Sequence, residues 1–465
     1  MYMKLFSTSG IRKKVSNLPP QFVSKVGLAI SKAICGGAGE NILIARDARS
    51  SGQQMEHAIS AGLLAGGSNI ERKGILPTPA LAYHTMKTKA CAGVMLTASH
   101  NPPEYNGIKV FDKTSMGLSP EDELKIEVAF NDPELSYVSW DKYGKDSEVI
   151  GSEFYTNMLL DAASNNNWEN INLVIVDPGG GAGCDVINKI YQTIGINLIG
   201  INGLFDPYFS SRLSEPVEKN LTELISFVKS SVDKKMGPSI GLAYDGDADR
   251  CIAIDEKGRY IPQDVQIALY AQYVVEQNNG KGLVVTHVDS SMLIDKLVTE
   301  AGGKVKRTKV GDVAIGNMVA NEKAIFGGEP CGAWIHPKYH LCPDGPLTGL
   351  KILEWTLERG PLHKLVDTVE DYPVYRNKIT CPNEMKEIVL KSLDKKISSE
   401  DNYKDLLKMD GLRLSFEDDS WILIRPSGTE PYFRVTSQAM TKKESQERLE
   451  HYTSLVEKEI KYVQK

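Results

Sequence analysis

Three aspartates alternate through GLAYDGDADR, residues 241–250: Asp245, Asp247 and Asp249, with Gly246 allowing a tight turn. Carboxylates so close repel one another unless a cation lies among them, and hard oxygen donors suit Mg2+ or a similar ion. A solvated acidic turn is the plain alternative. Apolar IGLA precedes the loop, however, and apolar CIAI follows it, and acidic groups at the mouth of a buried sheet are costly without a charge partner. The spacing does not fit an EF-hand loop. A second group lies in TASHNPPEYNGIKVF, residues 97–111. AGVMLTA reads as a buried strand, and Asn101-Pro102-Pro103 disfavours helix, so Ser99 stands where strand becomes loop. A serine there is held up by the sheet and exposed, as a nucleophile requires. Lys109, on the next strand, would act as a base if neighbouring cations lowered its pKa. A stiff surface turn beside a solvated lysine explains the same residues. No Ser-His-Asp arrangement is evident, which disfavours acyl transfer.

Two further stretches carry polar groups between glycines. In RPSGTEPYFRV, residues 425–435, Arg425 leaves the strand WILIR, and Ser427, Gly428 and Thr429 supply hydroxyls and backbone N–H groups. A guanidinium fork beside a backbone nest is the chemistry of a phosphate cradle, although the same residue types make ordinary turns. Arg434 would assist more weakly. In FGGEPCGAWIHPKYHLCPDG, residues 326–345, Glu329 is bracketed by Gly327, Gly328 and Gly332 and suits hydroxyl recognition; a simple glycine-rich turn is the alternative. His336 and His340 are four apart, but Pro337 between them argues against a helical metal pair.

The elements that must position these groups recur. NILIARDARSSGQQMEHAISAGLLAGG from 41, NLVIVDPGGGAGCDVINKIYQTIG from 172 and GLVVTHVDSSMLIDKLVTEAGG from 282 each read as a β-branched strand, an acidic residue, small residues, and an amphipathic helix closed by glycine. Helices of shared length suggest a triplicated α/β unit, each copy the heart of a domain. From about 371 a strand, helix and strand region ends in a helix rich in Lys and Glu. The expected fold class is therefore α/β: three similar mixed α/β domains (1–150, 151–253 and 254–368) and a smaller C-terminal α+β domain (369–465).

The chain of 465 residues is 41% hydrophobic and 25% charged, which fits a soluble multidomain protein. Its net charge of −6 argues against nucleic acid as a partner. No apolar leader or membrane-length segment stands out, so a cytoplasmic protein that does not engage membranes is expected. Seven cysteines, at 35, 91, 184, 251, 331, 342 and 381, lie singly without CxxC pairs, which fits reduced thiols better than disulfides or a zinc site.

In their order and across nearly the whole chain, TASHNPPEYNGIKVF, DGDADR, GGEPCGAW and RPSGTEP resemble the motifs of the α-D-phosphohexomutase superfamily, whose members include phosphoglucomutases, phosphomannomutases and phosphoglucosamine mutases. LFSTSGIRKK is similar to its N-terminal motif, with Ser7 and Lys13 where glycines are usual and Arg12 retained. The resemblance implies four domains around a central cleft and an intramolecular phosphotransferase. Ser99 would be the phosphoserine, and its phosphate with Asp245, Asp247 and Asp249 would hold Mg2+. Arg12 and Arg250 would stabilise the transferring phosphate, while His100 and Lys109 would assist proton movement. Arg425, Ser427, Gly428 and Thr429 would grip the other phosphate. Glu329 and Cys331 lie where the family reads sugar hydroxyls, although many members have Ser at the latter position and His in place of Ala333. The loop Lys309–Asp312 resembles a sugar-contacting loop, which adds Gly311 and Asp312.

Phosphoryl transfer is mostly positioning and charge stabilisation. Moving a phosphate between C1 and C6 through a phosphoserine implies a hexose 1,6-bisphosphate, both intermediate and activator, that turns round in the cleft. It also implies closure of the fourth domain to exclude water. The expected partners are sugar phosphates alone, acting on a monomer or homodimer. GGEPCGAWIH resembles archaeal phosphoglucosamine or phosphomannomutase-like members more than the classical phosphoglucomutase loop, so glucosamine phosphate is the expected substrate, with a dual-specificity phosphomannomutase/phosphoglucomutase as the alternative. A metal-dependent phosphatase or a phosphotransferase of another fold is one rival, and a non-catalytic sugar-phosphate-binding protein of the same fold is the rival from another class.

Overall fold

The computed structural model describes residues 3–464 apart from 8–9, 37–38, 234–238, 371, 401 and 429. Four sheets follow one another along the chain. The first contains β1 (Ile11–Lys14), β2 (Asn41–Arg46), β3 (Asn69–Ile75), β4 (Ala92–Leu96), β5 (Tyr105–Phe111) and β6 (Asp146–Glu148), in the order β1-β5-β4-β2-β3-β6. The second contains β7 (Leu173–Asp177), β8 (Leu198–Gly200), β9 (Ser239–Tyr244) and β10 (Cys251–Ile254), in the order β10-β9-β7-β8. The third contains β11 (Leu283–His287), β12 (Lys304–Thr308), β13 (Phe326–Gly328) and β14 (Trp334–Ile335), in the order β12-β11-β13-β14.

Each of these sheets has a parallel centre and turns antiparallel at one edge, through β4–β5–β1, β9–β10 and β13–β14 respectively. The central strands read as continuous apolar runs because both faces are covered: VIV within β7 and the whole of β9 are buried. The three strand–loop–helix units fall on β2, β7 and β11. Their helices are Gly52–Ala65, Cys184–Thr193 and Met292–Glu300, of 14, 10 and 9 residues, so the expected shared helix length does not hold. β10 ends at Ile254, paired with Gly241, one residue past the border expected for the second domain.

The fourth sheet is wholly antiparallel: β15 (Val374–Thr380), β16 (Asp405–Leu407), β17 (Leu412–Ser415), β18 (Trp421–Pro426) and β19 (Tyr432–Gln438), in the order β15-β19-β18-β17-β16. Helices Lys386–Ile397 and Lys442–Val463 cover it, packing Leu393 and Val456 against Ile424, Phe433 and Val435. A larger core links the other sheets through Leu81, Tyr155, Tyr244, Tyr270 and Trp355 and reaches Trp421 in the fourth. Among the described residues, no helix is long and apolar enough to cross a membrane.

The cysteines correct the sequence reading. Cys35 and Cys91 form a disulfide, with Cα atoms 5.7 Å apart and a sequence separation of 56; the other five are free. Cys35 lies just past the helix Pro20–Ala33 and Cys91 just before β4, so tertiary packing rather than local spacing brings them together.

Candidate active site

Four of the candidate loops lie at sheet ends. Ser99 follows β4, the aspartate loop follows β9, Lys309–Asp312 follows β12 and Glu329 follows β13, each at the carboxyl end of a parallel strand, where α/β folds place ligands. Ser99 has a left-handed backbone, φ 49°, and its residue surface is 1% exposed, which corrects the expected exposed nucleophile. It is enclosed because the aspartate loop closes over it. Ser99 Oγ donates to Asp245 Oδ2 at 2.6 Å, and a Cβ on Gly246 would come within 2.7 Å of Ser99 O. Only glycine allows that approach of the two loops.

The strained turn is held from beneath by a residue that the sequence reading passed over. Arg49 pairs with Asp47 at 2.9 Å and donates to the carbonyls of Ser99, Asn101, Pro102 and Tyr105 at 2.7–3.0 Å. Thr97 Oγ1 accepts Ser99 N–H at 2.8 Å and donates to Asp47 Oδ2 at 2.6 Å. The signal was the Asp-x-Arg step directly after β2, in the first repeat. Thr78, also unanticipated, donates to Asp247 Oδ2 at 2.6 Å.

One ligand oxygen from each of Asp245, Asp247 and Asp249 lies within 4.8 Å of the others, all three residues being buried. Lys109 Nζ sits against them, 3.0 Å from Asp247 and 2.8 Å from Asp249. Burial opposes the ammonium charge, but the two carboxylates outweigh it and hold the Lys109 pKa above its ordinary value. The expected lysine base is thereby corrected: Lys109 is a fixed cation. Burial and the neighbouring Asp249 and Asp247 push Asp245 well up. Asp247 goes the other way, because Lys109, the Thr78 hydroxyl and Arg12 overcome its burial. Asp247 Oδ1 and Asp249 Oδ1 are buried without a hydrogen-bond partner. Unmatched buried carboxylate oxygens around one point fit a divalent cation.

Arg12, on β1, reaches Asn101 Oδ1 at 3.3 Å, and its pKa is lowered first by burial. Arg250 N–H donates to Asp245 Oδ1 at 3.2 Å, and its Nε is 3.9 Å from Asp249. His100 Nδ1 lies 3.4 Å from Ser99 Oγ. Burial, then Arg250 and Arg12, push its pKa down to about 2, so the imidazole is neutral and, beside an unmodified Ser99, a weak base.

Burial opposes the Arg250 charge, while Asp245, Asp249 and, from the third sheet, Glu329 favour it when ionised. Glu329 Oε1 accepts Gly311 N–H at 3.1 Å, and Cys331 Sγ is 4.0 Å from Oε2. Burial, then the charge of Asp312, raise the Glu329 pKa to about 7; burial raises Cys331 to about 12. Asp312 begins the helix Asp312–Glu322 with its Oδ1 buried and unpartnered. His336 and His340 pair with Thr348 and Asp344, away from any metal role.

On the fourth sheet, Lys378, Arg434 and Arg425 are direct neighbours across β15, β19 and β18 and so share one face. Like charges set side by side are unfavourable unless an anion joins them. Arg425 Nε pairs with Asp410 at 2.8 Å. Lys386, another residue missed in the sequence, donates to the carbonyls of Ser427 and Glu430 and so shapes the turn. Gly428 is exposed, and Thr429 lies outside the described residues. Among the described residues, no hydrogen bond or ion pair joins residues 425–428 to the Ser99 cluster. The link runs through Asp410, which accepts Val310 N–H at 3.3 Å, to the Gly311–Glu329 contact.

Phosphoglucomutase/phosphomannomutase α/β/α domain families I, II and III match residues 3–136, 153–258 and 262–372. The chain belongs to the phosphoglucomutase/phosphomannomutase family, within the α-D-phosphohexomutase superfamily, and is an intramolecular phosphotransferase of the isomerase class. A phosphoglucosamine mutase from Methanococcus maripaludis is 42% identical over 95% of this chain and 95% of that protein. A phosphoglucomutase/phosphomannomutase family protein from Burkholderia thailandensis has the same fold, with a TM-score of 0.85 at 21% identity over 99% of this chain and 98% of that one. The N-acetylphosphoglucosamine mutase of Aspergillus fumigatus, solved with GlcNAc-6P and magnesium, superposes with a TM-score of 0.63 at 15% identity, over 98% and 96% of the two chains.

Proposed function

We propose that this phosphohexomutase is a phosphoglucosamine mutase, interconverting glucosamine 6-phosphate and glucosamine 1-phosphate. The observation that carries the chemistry is the 2.6 Å contact between Ser99 Oγ and Asp245 at the centre of the aspartate–lysine cluster. The sugar rests on the likeness to the Methanococcus maripaludis enzyme. Ser99 bears a phosphoryl group. The bond from phosphorus to Ser99 Oγ breaks as a bond to the C1 or C6 oxygen of the sugar forms; the sugar hydroxyl gives up its proton to His100, whose basicity the adjacent phosphoserine dianion would raise, and the ring, 3.4 Å from Ser99 Oγ, returns a proton to that oxygen as it leaves. The resulting bisphosphate turns round, returns its other phosphoryl group to Ser99 and leaves as product. Asp245, Asp247 and Asp249 would hold Mg2+, which when bound neutralises charge on the transferring phosphate. Arg12 and Arg250 flank that phosphate, Lys109 keeps Asp247 and Asp249 in place, Glu329 with the Gly311–Asp312 turn and Cys331 receives the sugar, and Arg425 with Ser427, Gly428 and Thr429 holds the far phosphate. A hexose 1,6-bisphosphate would rephosphorylate Ser99 whenever the intermediate escapes.

The test compares rates on glucosamine, mannose and glucose 6-phosphates with Mg2+ and a trace of glucose 1,6-bisphosphate, for the wild type and Ser99→Ala. The expected result is fastest turnover of the amino sugar, loss of more than a thousandfold in the variant, and loss on chelation that Mg2+ restores. Equal rates on all three sugars would refute the substrate, full activity of the variant would refute the phosphoserine, and net phosphate release would refute the mutase.

A further inference from the structure

His287 closes β11 at the same sheet edge as Glu329 and is 8% exposed. Its Nδ1 accepts the backbone N–H of Asp289 at 3.1 Å, and Ser290 Oγ is 3.0 Å from the same nitrogen. A ring nitrogen that accepts a backbone N–H holds no proton, so the proton of the neutral ring is on Nε2. The ring is neutral because burial, followed by the positive charges of Arg307 and Arg425, pushes its pKa down to about 3. Nε2 lies 3.7 Å from Glu329 Oε1, too far for a direct hydrogen bond.

The frame around this donor is rigid. Arg307 donates to the carbonyls of His287, Ser290 and Ser291 at 2.9–3.2 Å, and Arg413, from the fourth sheet, donates to Val288 O. Thr286 Oγ1 donates to Gly328 O at 2.9 Å, which ties the strand to the base of the Glu329 loop. A donor held in this way is aimed rather than adaptable. The loop after β13 offers little else: Ala333 has no polar side-chain atom, and the Cys331 thiol is a weak donor.

We propose that His287 determines sugar specificity, its Nε2–H donating to the oxygen of one ring hydroxyl while Glu329 accepts the proton of the neighbouring one. This rests on the reading of the cleft as a sugar-phosphate site. A fixed donor and an acceptor 3.7 Å apart match adjacent hydroxyls of a pyranose, one used as acceptor and the other as donor.

The experiment measures kcat/KM of the wild type, His287→Asn and His287→Gln on glucosamine 6-phosphate and on its 3-deoxy and 4-deoxy analogues. The Asn amide oxygen replaces Nδ1 as acceptor for Asp289 N–H and preserves the frame, but its nitrogen cannot reach the position of Nε2; Gln returns a donor there. The Asn variant is expected to lose about tenfold on the full sugar. It should lose nothing further on whichever deoxy sugar lacks the bonded hydroxyl, and Gln should recover most of the loss. An equal loss on all three sugars, or no loss at all, overturns the role of His287 while leaving the mutase intact. A wild type inactive on every hexose phosphate overturns the mutase reading, and this inference with it.

Discussion

Glu329 is the residue whose ionisation the fold most visibly sets against its environment. Its pKa rises to about 7 because burial and Asp312 disfavour the anion more than Gly311 N–H and Arg250 support it. A carboxyl whose folded pKa lies above its unfolded value costs nothing below the unfolded pKa, where both states are protonated. The cost grows as pH rises between the two values and is complete above the folded one. Glu329→Gln keeps an acceptor for Gly311 N–H and removes the charge, so it is expected to stabilise the protein at pH 8 by roughly 1–3 kcal/mol. The gain should vanish as pH falls towards 4.5, the ordinary value of a glutamate carboxyl. Denaturant midpoints at pH 5 and 8 check this, and a stability difference independent of pH would contradict it. Activity should move the other way, because a carboxylate that accepts hydroxyl protons works only when ionised: kcat/KM of the wild type should climb through pH 7. Residue identities of this kind were legible in the sequence, since carboxylates and a strand-end serine announce their chemistry. Their charge states were not. Lys109 looked like a candidate base because its partners, Asp247 and Asp249, lie 138 and 140 residues away and only the fold shows them at hydrogen-bond distance.

Each strand–loop–helix element was legible for a local reason: a β-branched run covered on both faces leaves an apolar string, and small residues must enter the next helix. The frames that hold the loops were less legible, because an arginine such as Arg49 shows its purpose only when four carbonyls converge on it. The cross-link between Cys35 and Cys91 was hidden altogether. It ties the end of one helix to the start of β4, and nothing within the intervening segment marks either cysteine as a partner. Closing so long a loop in the unfolded chain should stabilise the first domain by about 2–4 kcal/mol. Protein purified in air should therefore show five titratable thiols in denaturant and seven after reduction, matching five free cysteines among seven. Reduction, or Cys35→Ser with Cys91→Ser, should lower Tm with little effect on turnover. Seven thiols before reduction would remove the cross-link.

Across the whole molecule, the order of the motifs along the chain revealed how many loops the cleft needs but not which surfaces touch. On the proposed reading, the contact between the third and fourth sheets would set how the far phosphate is held. Gln438 Oε1 accepts Met292 N–H at 2.8 Å and its amide nitrogen donates to Ser291 Oγ at 2.9 Å, while Arg413 grips Val288 O. At the cleft side of the same contact, Asp410 pairs with Arg425 Nε and also accepts Val310 N–H, one residue before the Gly311 N–H that Glu329 accepts. Nε lies close to Asp410 without making a hydrogen bond, and among the described residues neither terminal nitrogen of Arg425 has a hydrogen-bond partner, so both remain available to a phosphate. On that reading Asp410, beside Arg425 and bonded to Val310 N–H, would couple the proposed phosphate cradle to the proposed sugar loop. The pair is partly exposed, with side-chain exposures of 19% and 25%, so its energy is modest, about 1 kcal/mol. Asp410→Ala leaves Ser99, the aspartate cluster and His100 untouched, and is therefore expected to raise KM for the sugar phosphate by about fivefold with kcat within twofold of the wild type. A fall in kcat at unchanged KM would mean that the fourth domain acts on the chemical step itself, and the coupling through Asp410 would have to be abandoned.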